Sequence, residues 1–427
     1  MISWSSRRPV DETTKGWRLE PGETLSQPDI AARGWNALRG DLELPVMLLH
    51  QGAMASNLST MSDYCRRHGV DLAPHAKTSM SPEITHLQLQ AGAWAMTAAT
   101  PGQVRTLHAF GVRRIVMANE LVDQAAIRWV ADHVLSRQDT EFLCYVDTIE
   151  GIELLEKTLA GQPQNRPLEV LLEMGFRGGR TGVRSVTDAV NLAEAIRRSP
   201  WLELAGASGF EGLVPGWNAA SGVPAGLIGL LEDIREVAEI LRRQHLVDDS
   251  RRLVVSAGGS AYFDHVVDLL APGRFDFPVR TVLRSGCYVT HDHGLYQETS
   301  PLAGSGRTSP SRRLRPAFEL LASVWSRPEP GLVVVGFGRR DVPTDDRMPV
   351  VLRSHSKPSR SGEISAYRVV AINDQHAMVK VPHDSDVSVG DVLGFGISHP
   401  CGAFDRWRVI PIVAENYDVV SSVSTFF

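Results

Sequence analysis

The chain has 427 residues, 43% of them hydrophobic and 22% charged, with a formal net charge of −5. That length exceeds one domain of ordinary size, the apolar fraction is ample for a core, and the negative balance argues against a polyanionic partner such as nucleic acid. No apolar run is long enough to span a bilayer, residues 1–11 hold no apolar stretch of signal-peptide length, and Cys65, Cys144, Cys287 and Cys401 are too scattered for a disulfide framework, so a reducing cytoplasm is the expected compartment.

In chain order, residues 44–49 read as a strand and 55–67 as a helix. From Leu72 onward short apolar runs alternate with amphipathic stretches. The runs are 72–77, 93–99, 114–119, 141–147, 168–175, 202–210, 253–259 and 281–289. Between them, 82–91, 121–135, 186–198 and 227–243 repeat apolar residues at three- and four-residue spacing. Eight strand-plus-helix units predict an α/β fold, a (β/α)8 TIM barrel. A doubly wound open sheet is the alternative, because alternation alone does not fix closure. The strand at 44–49 does not fit the eight and is expected to pair elsewhere.

After Tyr296 the texture changes. Residues 299–316 are rich in Ser, Gly, Pro and Arg and read as an exposed connection. Beyond it, runs at 332–336, 363–372, 377–381, 392–395 and 407–413 are separated by turn-prone residues and predict a C-terminal β domain.

Several residue types then stand where chemistry is expected. Lys77, in Pro74-His75-Ala76-Lys77-Thr78, falls at the C-terminal end of the first barrel strand, where barrels carry their active sites. Apolar walls there are expected to lower its pKa and free its amine to attack a carbonyl; the plain alternative is a surface lysine. Gly258-Gly259-Ser260 follows strand seven and Gly286-Cys287 lies on strand eight. Backbone amides at those two places suit a phosphate, and two tight turns are the plain alternative. Arg180, after strand five, suits a phenolate or carboxylate. Arg284, on strand eight, would point into the barrel and is expected to have an anionic partner. His399 and Cys401, two apart on an extended segment, would face the same way and share a metal ion, with Zn2+ matching N and S donors. His376 is either a third polar group there or a turn cap.

Taken together, these motifs resemble the D-serine dehydratase and D-threonine aldolase family, fold-type III enzymes that share a pyridoxal 5'-phosphate (PLP) barrel with alanine racemase. The resemblance spans nearly the whole chain, through Pro74-His75-Ala76-Lys77-Thr78, Asn119, Arg180-Thr181-Gly182, Ser256-Ala257-Gly258-Gly259-Ser260, Arg284-Ser285-Gly286-Cys287-Tyr288 and Ser398-His399-Pro400-Cys401. It implies a PLP barrel over 45–295 and a β domain with a metal site over 1–44 and 296–427. It implies that Lys77 holds PLP and acts as base at the substrate Cα, with His75 beside it. Gly258, Gly259, Ser260, Gly286 and Cys287 would cradle the phosphate, Arg180 would approach O3', and Arg284 or Tyr288 the pyridine side. His399 and Cys401 match the metal pair. A Cys in the second position is dehydratase-like and thiolate favours Zn2+, whereas the aldolases' Asp suits Mn2+ or Mg2+.

The implied reaction is D-serine dehydratase-like deamination of a D-hydroxy amino acid to a keto acid and ammonia. Retro-aldol cleavage to glycine and an aldehyde is the alternative. A racemase, with Tyr367 or Tyr417 as second base, and a non-catalytic PLP-binding protein are further alternatives. A homodimer is implied as well. The sequence departs from the family at Ala73, Ser79 and Asp374-Gln375-His376, which bears on the substrate more than on the cofactor.

Overall fold

Eight short parallel strands form the first of two units in a computed structural model, which describes residues 8–218, 223–304, 313–356 and 364–427. Residues 1–7, and the parts of the expected loop and strand that fall on 305–312 and 363, lie outside the described residues. The strands are Asp71–Leu72, Met96–Ala98, Arg114–Glu120, Glu141–Val146, Leu168–Met174, Leu202–Gly209, Leu253–Ser256 and Val279–Leu283. Neighbours in sequence pair in parallel, and Val279–Leu283 returns to pair with Asp71–Leu72. A parallel bridge between His75 and Thr97 closes the ring, helped by Trp94 N–H donating to Leu72 O at 2.7 Å. The barrel is therefore closed and not an open sheet. Inside it pack Ala73, Ala95, Val116, Leu143, Tyr145, Leu171 and Val282.

The crossover helices follow the apolar spacing. Val186–Arg198 buries Ala189, Leu192, Ala193 and Ile196, and Leu227–Arg243 buries seven apolar residues along one stripe. Ser185 caps the first of these by accepting from Asp188 N–H at 3.1 Å. Close strand approach fixes Gly206, whose φ is +154° and where a Cβ would meet Val254 O at 1.9 Å. Cys65 and Cys144 are buried core filler, and burial pushes the Cys65 thiol up to about 12.

The first strand is shorter than expected. Pro74 interrupts it, and Ala76–Thr78 forms a 3-10 turn that carries Lys77. The last strand likewise ends at Leu283, and Cys287–Val289 is a 3-10 turn.

Among the described residues the second unit comprises 8–60, 78–87, 287–304, 313–356 and 364–427. This revises the expected boundaries at 44/45 and 295/296, because Val46–His50 belongs to this unit's nine-stranded sheet. It lies between Phe318–Glu329, antiparallel, and Val409–Val413, parallel. Phe318–Glu329 is the long central strand and also pairs with Leu332–Val335 and Val392–Gly396. Val350–Ser354 and Val419–Ser424 complete strands that the periodicity alone does not reveal.

A buried carboxylate organises this sheet. Glu319 is 1% exposed and accepts from Tyr417 Oη at 2.8 Å, His50 Nε2 at 2.8 Å and His355 Nε2 at 3.0 Å. Burial alone would raise its pKa, but the bonds from His355 and His50 and the charge of Arg353 outweigh that and hold it well below the usual carboxylate range. Gly394 leaves the space this needs, since a Cβ there would stand 2.1 Å from Glu319 Oε1. Replacing Glu319 by Ala orphans three polar groups at once. We expect Glu319→Ala to cost about 3–5 kcal/mol in denaturant unfolding; a change under about 1 kcal/mol would show that the hub is not structural.

Candidate active site

Lys77 opens into a cavity of about 160 Å3 at the C-terminal ends of the barrel strands, lined also by His75, Asn119, Tyr145, Glu173, Arg180 and Arg284. A larger cavity of about 310 Å3 lies at the N-terminal ends, but most of its charges are already paired, as Arg114 with Glu141 and Arg251 with Glu169 and Glu203. The lysine is exposed and its neighbours are mostly polar, so the apolar enclosure expected for it is absent. His75 Nδ1 is buried without a hydrogen-bond partner. Burial, then the charge of Lys77, hold its pKa well below the ordinary histidine value, so the ring is neutral.

Arg284 is 5% exposed and reaches Ser256 Oγ at 2.6 Å, Ser208 Oγ at 3.3 Å and Gly209 O at 2.7 Å. Hydroxyl and carbonyl oxygens thus take the place of the expected anionic partner. Ser208 Oγ in turn bonds Tyr145 Oη at 2.7 Å. Arg180 is exposed and lies over the Phe210 ring at 5.1 Å. Asn119 Nδ2 donates to Ala99 O at 3.1 Å.

The glycine pair differs from expectation. The N–H groups of Gly258 and Gly259 donate to the two carboxylate oxygens of Glu211, at 3.0 and 2.9 Å, and Glu211 is fully buried. These amides are therefore already capped, which corrects their reading as an open phosphate cradle. Arg284 N–H donates to Gly258 O at 2.8 Å, and Ser285 Oγ donates to Gly259 O. Ser260 and Gly286 sit in the same unit, while Cys287 and Tyr288 fall in the second. Tyr288 is 3% exposed there.

Sequence reasoning missed three carboxylates. Glu120, Asp147 and Glu173 stand at the ends of strands three, four and five, each with an oxygen within 4.8 Å of the others. Glu120 Oε1 and Glu173 Oε2 are buried, the protonated Glu120 carboxyl hydrogen-bonds Glu173, and Asp147 Oδ2 accepts from Gly182 N–H at 2.9 Å. Burial, and then the neighbouring Glu173, push Glu120 up to about 8. The signal was present only as single acidic residues at strand ends.

The second unit holds the sulfur site. Cys401 Sγ lies 3.6 Å from Cys287 Sγ and 3.4 Å from Thr78 Oγ1, and its side chain hydrogen-bonds to His399. His399 Nδ1 bonds the Asp345 carboxylate. The segment is not extended: His399 has φ +59°, and Cys401 starts the short helix Cys401–Phe404. Buried Asp292 holds this turn by accepting from His399 N–H at 2.9 Å. The hydrogen bond from Cys287 and the His399 charge lower the Cys401 pKa despite burial. His376 is exposed and meets the edge of the Trp325 ring at 5.4 Å in the turn after Arg368–Ile372. The groups around Cys401 are Cys287, Thr78 and His399 instead. Tyr367 and Tyr417 are tied to Ser385 and Glu319, which leaves neither as an evident racemase base.

Comparison with known proteins agrees with this fold. The alanine racemase N-terminal domain matches residues 49–275, and the putative serine dehydratase domain matches residues 317–413. D-threonine aldolase from Arthrobacter sp is 26% identical over 88% of this chain and 90% of its own length. The structure of D-threonine aldolase from Filomicrobium marinum matches with TM-score 0.73 and 22% identity, over 90% of this chain and 95% of that one. A D-threo-3-hydroxyaspartate dehydratase solved as a cysteine-to-alanine mutant in its metal-free form matches with TM-score 0.68 and 21% identity, over 90% and 98%.

The Glu120 shift gives a pH test. In the fold Glu120 keeps its proton up to about pH 8, whereas the unfolded chain releases it near the ordinary glutamate value. Between those limits the folded state binds the extra proton, so stability falls as pH rises and levels off above the folded value. Glu120→Gln stays neutral throughout. We expect its melting temperature to fall less steeply than the wild type's between about pH 5 and pH 8; parallel curves would contradict the shift.

Proposed function

The chain belongs to the D-serine dehydratase and D-threonine aldolase family of fold-type III, alanine racemase-like enzymes, for which PLP is the expected cofactor, and from this premise we propose that it is a lyase of D-3-hydroxy amino acids, deaminating them to a keto acid and ammonia. The observation that carries the reading is the exposed Lys77 amine at the C-terminal mouth of the barrel, beside the orphaned His75 nitrogen and the cations Arg180 and Arg284. These residues fit an anionic, electrophilic ring. The phosphate must find donors other than the Gly258 and Gly259 amides, or displace Glu211 from them.

When bound, PLP supplies an electron sink for charge developing at the substrate Cα. Lys77 anchors the cofactor and carries the Cα proton. Arg180, exposed over the Phe210 ring, suits the O3' oxygen or the substrate carboxylate. Arg284, immobilised by Ser208, Ser256 and Gly209, lends fixed positive charge to the cavity wall. Neutral His75 offers an acceptor nitrogen without adding to that charge.

His399 and Cys401 would hold a divalent metal, and the donor chemistry favours Zn2+ over Mn2+ or Mg2+. Such an ion supplies Lewis acidity to a departing hydroxyl. Asp345 would orient His399 through Nδ1. A relative described as solved in its metal-free form supports a metal in this family. Retro-aldol cleavage is the second reading, favoured by the 26% identity to a D-threonine aldolase. No helix among the described residues is long and apolar enough to cross a membrane; cytoplasmic location and a homodimer complete the proposal.

The test is a product assay on protein supplied with PLP and Zn2+, using D-serine, D-threonine and D-threo-3-hydroxyaspartate. Keto acid and ammonia in equal amounts support the dehydratase. Glycine and aldehyde move the reading to aldolase, and neither product refutes a lyase. Lys77→Ala should lower turnover by at least about a thousandfold and remove the absorbance of lysine-bound PLP; near-normal turnover would disprove the role of Lys77.

A further inference from the structure

The metal pair that the family implies contains one cysteine, yet a second thiol stands against it. Cys287 is 4% exposed, and its sulfur lies 3.6 Å from that of Cys401. Two thiolates on one tetrahedral zinc, each about 2.3 Å from the ion, are about 3.8 Å apart along the tetrahedron edge. The observed separation is within a few tenths of an ångström of that value before any ion is considered. Thr78 Oγ1 lies 3.4 Å from Cys401 Sγ and 3.7 Å from Cys287 Sγ, so one hydroxyl touches both sulfurs.

We propose that Cys287 is a third protein ligand of the metal, making the centre two thiolates and one imidazole with a fourth position open. This rests on the metal part of the function proposed above and goes beyond its His399–Cys401 pair. Cys401 is the shared donor: it meets Cys287 on one side and His399 on the other. Cys287 and His399 are not within 4.8 Å of one another, so an ion must draw the His399 ring toward the two sulfurs, which already stand at zinc spacing. His399 has its Nδ1 engaged by Asp345, which leaves Nε2 as the ligating atom. The packing of Cys287 supports the assignment, because Cys287 begins a 3-10 turn whose three residues are all buried, and that fixes its Cβ direction. Three protein ligands plus one open position is the usual plan of a catalytic zinc, and a second thiolate sharpens the preference for Zn2+ over Mn2+ or Mg2+.

Zinc K-edge X-ray absorption on the full-length, PLP-loaded protein reads the ligand set without activity. The wild type should show two sulfur scatterers at about 2.3 Å. Cys287→Ser should show one. Cys401→Ala should also show one and keep bound zinc, though at least about tenfold more weakly, whereas a His399–Cys401 pair alone predicts none. In the cobalt-substituted protein, the near-ultraviolet thiolate charge-transfer band should fall by about half in either variant. One sulfur in the wild type, unchanged in Cys287→Ser, overturns the role of Cys287 and leaves the one-cysteine reading standing. A wild type that binds no zinc while PLP absorbance is normal overturns both the third ligand and the proposed metal. The wild-type spectrum decides the question even if a variant fails to fold.

Discussion

A guanidinium inside a barrel, held without a carboxylate, is the constraint on which the lysine cavity depends. Arg284 cannot be left unsolvated, because an unpaired buried charge is costly. Its hydrogen-bond partners belong to the ends of strands six and seven: Ser208 Oγ, Gly209 O and Ser256 Oγ. Its own N–H returns to Gly258 O. One side chain therefore ties the tops of three consecutive strands together. Through Ser208 the same network fixes the Tyr145 hydroxyl, which faces the cavity that Lys77 enters. Charge-assisted bonds to hydroxyls and carbonyls replace an ion pair, so the guanidinium keeps its field for whatever occupies the cavity.

That arrangement also explains the limits of reading the site from sequence. The eight strands were legible because each is a short run of Val, Leu, Ile and Ala between amphipathic helices, and 186–198 and 227–243 matched the helices to the residue. Lys77 was legible from barrel convention and its motif, although the strand ends early and a 3-10 turn carries the lysine. Arg284 was legible as an inward charge, but not its partners, since serines from distant parts of the chain carry no spacing signal. Glu211 was invisible for the same reason: nothing in Phe210-Glu211-Gly212 announces a carboxylate that turns back onto two glycine amides.

The β unit was harder to read. Its central strand, Phe318–Glu329, begins Phe-Glu-Leu-Leu-Ala, which contains good helix formers and no period-two alternation. Five consecutive buried residues at its start leave it without a polar face. The buried Glu319 looks like a break in such a run, yet it is the acceptor for His50, His355 and Tyr417. The His399–Cys401 pair was found for an incomplete reason. Two-residue spacing implies extended backbone, whereas a left-handed turn at His399 and the start of a helix at Cys401 bring the side chains together. Asp292, which braces that turn, and Cys287, which meets Cys401, lie over a hundred residues earlier, and no local pattern joins them.

The charges around Lys77 then bear on what the cavity accepts. Arg180, Arg284 and the lysine supply positive charge, while Glu120, Asp147 and Glu173 crowd three carboxyl groups at the ends of strands three to five. If all three carboxylates were ionised, they would cancel much of the field that an anionic cofactor and substrate need. Burial and mutual repulsion prevent this, because Glu120 keeps its proton and can share it with Glu173. His75, its Nδ1 buried beside Lys77, stays neutral in the same way. The cavity is thus biased toward anions by the cations on its wall, with the protonated Glu120 behind Glu173 limiting the opposing charge. A site tuned in this manner suits a phosphorylated ring and a carboxylate substrate together, which is the combination a PLP lyase has to bind.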